Sequence, residues 1–171
     1  MTERELILYA CPTGLLADDL EAYFTEATAR FGPTTAQTYP VHCTLTGFFR
    51  RQGQRAEAVL RRLGGVIDEI GPPPQGAVSV DRLGVREGWV GLELSSPWLL
   101  DLNDVFVGAD DVNGDEDPLR PKSWLHVSLA YGVTDLAPYV ELAREVVDPS
   151  RPVGWKVNLW ERNMNGGWTV H

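Results

Sequence analysis

Only three of the 171 residues are histidine and only two are cysteine. Cys11 and Cys43 are too few for a disulfide framework and lack metal-ligand spacing, so both are expected to be reduced and buried, with no redox role. Long apolar runs are missing as well. The N-terminal stretch M-T-E-R-E-L-I-L-Y-A carries two glutamates and an apolar run of only five residues. That fits neither a signal peptide nor a membrane span, and the expectation is a cytoplasmic chain with no membrane partner. Positive charge is scarce: 15 Lys and Arg stand against 24 Asp and Glu, for a net charge of −9. No basic block is present to neutralise successive phosphates, which argues against a partner as long as a nucleic-acid strand. An anionic partner is therefore expected to be small, or touched at one end only. With 43% hydrophobic and 23% charged residues, the composition is that of a globular protein. No linker divides it, and residues 1–171 are expected to form one monomeric domain.

Strand and helix patterns alternate along this domain. Leu6 to Ala10 reads as a strand, and Leu16, Leu20, Tyr23, Phe24, Ala27 and Phe31 recur at helical spacing up to a Gly32-Pro33 stop. A strand around residue 42 precedes a second helix on Ala56, Val59, Leu60, Leu63, Ile67 and Ile70. Gly64-Gly65 weakens that helix and Gly71-Pro72 closes it. A hairpin is expected around Arg86-Glu87-Gly88 and a short helix from Trp98 to Phe106. A strand around residue 126 follows, then a helix on Leu136, Tyr139, Val140, Ala143 and Val147, and a last hairpin through Asn163 to Gly167. The class is α+β.

Two of the three histidines sit in matching contexts. Y-P-V-H-C-T-L-T-G-F-F-R contains His42, Thr44 and Leu45; S-W-L-H-V-S-L-A-Y-G contains His126, Ser128 and Leu129. Ser plus Thr make up 17 of the residues and Leu 20, so a given histidine meets the full pattern with a chance of roughly 1%. In a strand, residues i and i+2 share a face about 6.5 to 7 Å apart, which puts His42 beside Thr44 and His126 beside Ser128. Val41, Cys43, Leu45 and Phe49 then form the core side of one strand, and Leu125, Val127, Leu129 and Tyr131 that of the other. Each strand offers an imidazole with a neighbouring hydroxyl. Opening a cyclic phosphodiester needs a base to deprotonate water and an acid to protonate the departing ribose oxygen, and imidazole does either near neutral pH. Hydroxyl donors from Thr44 and Ser128 would stabilise the charge that grows on the phosphoryl oxygens.

On the motifs H-C-T-L and H-V-S-L the chain resembles the two-histidine (2H) phosphoesterase superfamily, whose signature is a pair of H-x-[S/T]-x motifs. The run H-V-S-L-A-Y-G, the start L-Y-A-C-P-T-G and the end L-W-E-R-N-M-N-G-G-W are similar to the small plant and fungal 2′,3′-cyclic nucleotide phosphodiesterases. The resemblance implies a bilobal fold of two intertwined lobes, one motif in each, with two antiparallel sheets related by a pseudo-twofold and facing a central cleft. It also implies hydrolysis to the 2′-phosphate without metal or other cofactor. Catalysis falls to His42 and His126, with His126 as base and His42 as acid, and phosphate binding to Thr44 and Ser128.

Further substrate contacts are suggested by position. Trp124 shares the face of His126, where its ring either stacks on a nucleobase or packs structurally; Phe48 holds the corresponding place on the first strand. Thr46 is placed to join Thr44, and Tyr131 to enter the cleft if its strand bends. Arg50 and Arg51 are read as an exposed basic pair. The acidic stretch at residues 110–118 is read as a solvated turn rather than a calcium loop, because Glu116 and Lys122 stand where glycine and glutamate are required. His171, at the end of the sequence, is expected to fray and has no assigned role. Three other readings stay open: a phosphate-binding module without turnover, an RNA-end-processing phosphodiesterase, and a metalloprotein ligated by His42 and His126.

Overall fold

The computed structural model describes residues 3–111 and 116–171. Among these residues, eight strands and four α-helices form an α+β arrangement: β1 (Glu3–Thr13), α1 (Leu15–Phe31), β2 (Cys43–Thr44), β3 (Phe49–Gln52), α2 (Gly53–Ile70), β4 (Ser79–Arg86), β5 (Trp89–Ser95), α3 (Pro97–Gly108), β6 (His126–Tyr131), α4 (Ala137–Val146), β7 (Gly154–Arg162) and β8 (Trp168–Val170). Among the described residues, no helix is long and apolar enough to cross a membrane.

The helix stops lie where glycine chemistry puts them. Gly32 and Gly71 each take φ 84°, and their N–H groups close the last turns on Thr28 and Ile67. Gly64 and Gly65 do not break α2, because they sit on its exposed side, where the loss is a propensity term of ~1 kcal/mol each. Ser96 caps α3 by accepting the Leu99 N–H at 3.0 Å, with Pro97 at the first helical position.

All strand pairs are antiparallel, in the order β4-β5-β6-β2-β1-β7-β8, with β3 also paired to β1. Hydrogen bonding thus joins the strands into one sheet rather than two. The two halves of that sheet meet through a single register pair, Cys43 with Val127. One face of β1 (Leu6, Leu8, Ala10) joins Leu16, Leu20, Phe24, Ala56, Val59, Leu99, Phe106 and Val140 from the helices in the apolar core, together with Cys43, Leu45, Val127 and Leu129. This leaves the opposite face free for chemistry.

The first histidine strand differs from the single strand expected. Tyr9 pairs with Thr44 and Leu6 with Phe49, so two residues of β1 face four of the other segment and the strand divides into β2 and β3. Thr46 explains the break. Its hydroxyl accepts the Leu8 N–H at 3.1 Å in place of a ladder carbonyl, and the residue is fully buried. Thr46 is therefore a backbone anchor and lies outside the cleft lining.

Arg51 also departs from its reading. Its side chain is buried, with Nη2 2.6 Å from Asp110 Oδ2 and Nη1 donating to the carbonyls of Arg50 and Asp117. Arg62 binds the other Asp110 oxygen at 2.9 Å, and Glu116 binds Arg55 at 2.6 Å. The acidic stretch is thus held by cations at both of its described ends instead of being solvated; the part read from residues 112–115 lies outside the described residues. Arg50 is exposed, as expected, near Glu3 and Glu5. His171 is pinned rather than frayed. Its N–H donates to Leu159, and its ring lies 2.9 Å from the Glu161 carboxylate, away from the cleft.

Candidate active site

On the free face of the sheet, His42, Thr44, His126 and Ser128 line one cleft of about 870 Å³, together with Phe48, Trp124 and Tyr131. The Cys43–Val127 register explains the convergence. Continued by one residue each way, it sets His42 across from Ser128 and Thr44 across from His126, ~5 Å apart by ordinary cross-strand spacing. Each imidazole therefore has its own motif's hydroxyl along the strand and the other motif's hydroxyl beside it. An antiparallel pair has local twofold symmetry, and here the axis passes between Cys43 and Val127.

The two imidazoles are held in matching ways. His42 Nδ1 lies 2.6 Å from the Pro40 carbonyl and His126 Nδ1 lies 3.0 Å from the Trp124 carbonyl. A carbonyl only accepts, so each Nδ1 carries the proton and donates, and each Nε2 is left to gain or lose one. Both rings are also stacked: His42 on Tyr9 at 3.9 Å and His126 on Trp124 at 3.8 Å. The sequence left Trp124 between nucleobase stacking and packing. The structure gives it a face of His126, with 41% of its surface exposed.

Burial is the largest influence on both rings and lowers both pKa values. His42 falls to about 4, against the opposing pull of the Pro40 carbonyl and with a further push from His126. His126 falls as well, its carbonyl partner Trp124 and the Glu93 carboxylate opposing Arg86 and Lys122. In the free protein, burial thus favours the neutral form of both rings.

The hydroxyls are prepared differently. Ser128 Oγ accepts the Trp89 indole N–H at 2.9 Å, so its own proton stays available for an oxyanion. Gly91 makes this possible. A Cβ there would sit 2.1 Å from the Val127 carbonyl and 2.5 Å from the Trp89 ring, so a side chain would displace the indole from Ser128. A bulge between Val90 and Gly91 adds to the local twist. Tyr131 enters the cleft, and its phenol pKa is raised by burial and then by the neighbouring Tyr39. Phe48 stacks on Trp168 at 6.2 Å, with Arg162 4.6 Å from its ring, on the cleft wall.

Participants that escaped the sequence reading include Tyr9, Tyr39, Trp89 and Glu93. Tyr9 was accessible by alternation, since Leu6, Leu8 and Ala10 claim the core side of β1. Glu93 is the cross-strand partner of His126, with Arg82 at 2.6 Å and Arg86 at 2.6 Å on its two oxygens. These ion pairs hold its pKa down, so a fixed negative charge stands beside His126. Only the pairing of β5 with β6 reveals that placement. Among the described residues, no group of three or more His, Cys, Asp or Glu side chains is gathered as a metal-ion cage.

No protein-family model matches the sequence. Among curated proteins, the chain is similar to the ecdysteroid-phosphate phosphatase of Bombyx mori, at 26% identity over 167 residues, which is 94% of this chain and 25% of that protein. It is also similar to the ecdysteroid-phosphate phosphatase of Drosophila melanogaster, at 34% identity over 68 residues, 40% of this chain and 9% of that protein. The chain thus spans about a quarter of the length of the silkworm relative, and a smaller part of the fly one.

Proposed function

We propose that the chain is a phosphoesterase that opens a 2′,3′-cyclic nucleotide, or a similarly small cyclic phosphodiester, by two-histidine acid–base catalysis. The observation that carries this reading is the convergence of two Nδ1-anchored imidazoles and two hydroxyls on one cleft across the Cys43–Val127 register. The names of the two relatives support phosphoester chemistry in general. The local twofold at the register pair supports the pseudo-symmetric 2H arrangement, in which each half of the chain supplies one motif. The proposed enzyme acts as a monomer on a small substrate, without a cofactor.

In the proposed reaction, Thr44 and Ser128 donate to the non-bridging phosphoryl oxygens. His126 Nε2 takes a proton from water as the water oxygen bonds to phosphorus. The P–O3′ bond breaks, and His42 Nε2–H protonates the departing 3′ oxygen, which leaves a 2′-phosphate. His42 must acquire that proton before it can act as the acid. The negative charge of the bound phosphate is the group that raises its pKa.

This gives a signed pH dependence. In the free protein one ring must be neutral and the other charged, and both pKa values lie below 6.5. The profile of kcat/KM is therefore expected to be bell-shaped with an optimum below pH 6.5, falling as pH rises through neutrality, while the alkaline limb of kcat lies higher because substrate raises His42. Glu93→Gln removes the charge that raises His126, so its limb should move to lower pH. Overlapping kcat and kcat/KM profiles centred above pH 7 would contradict the assignment.

The relatives' name favours a second reading, the hydrolysis of a phosphomonoester. Release of inorganic phosphate separates the two, because opening a cyclic diester releases none.

A further inference from the structure

Among the described residues, the cleft lining contains no carboxylate, although the chain carries 24 of them. Besides the two histidines, its charged residues are Arg120 and Lys122. Other cations near the cleft are already neutralised: Arg86 is bound to Glu93 and Arg162 to Glu5, each at 2.6 Å. Arg120 and Lys122 have no carboxylate partner among the described residues. Among the described residues, Arg120 makes one side-chain hydrogen bond, from Nη2 to the Phe48 carbonyl at 3.1 Å.

These two cations are mounted on the first motif. The Gly47 N–H donates to the Arg120 carbonyl at 2.9 Å, the Lys122 N–H donates to the Leu45 carbonyl at 2.8 Å, and Thr46 and Pro121 form the bridge between them. Gly47 lies three residues beyond Thr44, so the backbone that carries the two cations starts within about 11 Å of the Thr44 Cα. Two cations on that backbone, lining a cleft of about 870 Å³ with no carboxylate partner or opposing acid among the described residues, match an anion additional to the one being cleaved.

We propose that Arg120 and Lys122 form a second phosphate subsite, and that the substrate is a cyclic phosphodiester bearing a further phosphate, such as a nucleoside 2′,3′-cyclic phosphate phosphorylated on its 5′ oxygen. The inference rests on the phosphodiesterase reading above and deepens it. It also narrows the argument from net charge. The chain as a whole repels polyanions, yet the cleft has a local cationic wall for one extra phosphate.

Binding tests the subsite and turnover tests the reading beneath it. Calorimetry would compare adenosine 2′-monophosphate with adenosine 2′,5′-bisphosphate, on the unaltered chain and on Arg120→Ala, Lys122→Ala, the double variant and Arg120→Lys. The bisphosphate is expected to bind ~10-fold or more tightly, as charge-assisted hydrogen bonds allow. That ratio should collapse toward one in the double variant, survive largely in Arg120→Lys, and shrink as salt rises. Equal affinity for the two ligands, or an advantage that persists in the double variant, overturns the subsite. Failure of the unaltered chain to open either 2′,3′-cyclic adenosine phosphate, with or without the 5′-phosphate, overturns the reading on which it rests. The ratio of affinities is then judged on its own.

Discussion

His42→Ala and His126→Ala are each expected to lower the rate of 2′,3′-cyclic nucleotide opening by ~10² to 10⁴-fold while the fold is kept. Each removes one end of a proton transfer that spans the same transition state, so the double variant should be scarcely slower than either single one. The sites tolerate the change because neither ring belongs to the apolar core; both lie on the cleft face, packed against Tyr9 and Trp124. A circular dichroism spectrum and melting curve close to those of the unaltered chain would confirm retention of the fold. Near-normal turnover in either variant, or strictly multiplicative losses in the double one, would show that the rings do not act as a pair.

Asp110→Ala is expected to lower stability by ~3 to 5 kcal/mol, since it leaves the buried Arg51 guanidinium without its closest counter-charge. Two carbonyls continue to accept from Arg51, but carbonyl dipoles do not replace a full charge, and Glu116 stands 3.8 Å away. Asp110 also holds Arg62, so the same change loosens the end of α3 from α2. Urea titration measures the loss as a lower midpoint at unchanged slope. A midpoint within experimental scatter of the unaltered chain would mean that the network does not carry the stability assigned to it. Replacing Arg51 by leucine should be better tolerated, because it removes the buried charge along with its partner's obligation and leaves Asp110 paired with Arg62.

Among the described residues, the periodicities of the sequence located all four α-helices and the two hairpins, because apolar spacing and Gly-Pro stops are local signals, but not the short 3-10 helix at Thr35–Thr38. The pairing of His42 with Thr44 and of His126 with Ser128 on one face was equally local, since strand alternation alone sets it. Four features were not local. Thr46 reads like a second cleft hydroxyl until the two-residue mismatch between β1 and its partner shows that its oxygen replaces a ladder carbonyl. Arg51 follows Arg50 and looks solvated, but its counter-ion lies 59 residues away. Trp89 reaches Ser128 only because Gly91 clears the path across neighbouring strands. Glu93 becomes a neighbour of His126 through the register of β5 on β6. Long-range pairing decides each of these, and no window of contiguous residues contains it.

The central claim is that the paired imidazoles open a cyclic phosphodiester rather than strip a monoester. Phosphorus NMR in ¹⁸O-enriched water, on 2′,3′-cyclic AMP and separately on adenosine 2′-monophosphate, tests it directly. The expected result is conversion of the cyclic ester to a single adenosine 2′-phosphate signal carrying one ¹⁸O, no inorganic phosphate from either compound, and no conversion by His42→Ala or His126→Ala. Inorganic phosphate from the monoester with the cyclic ester untouched, or cyclic-ester opening that survives loss of both histidines, would contradict it.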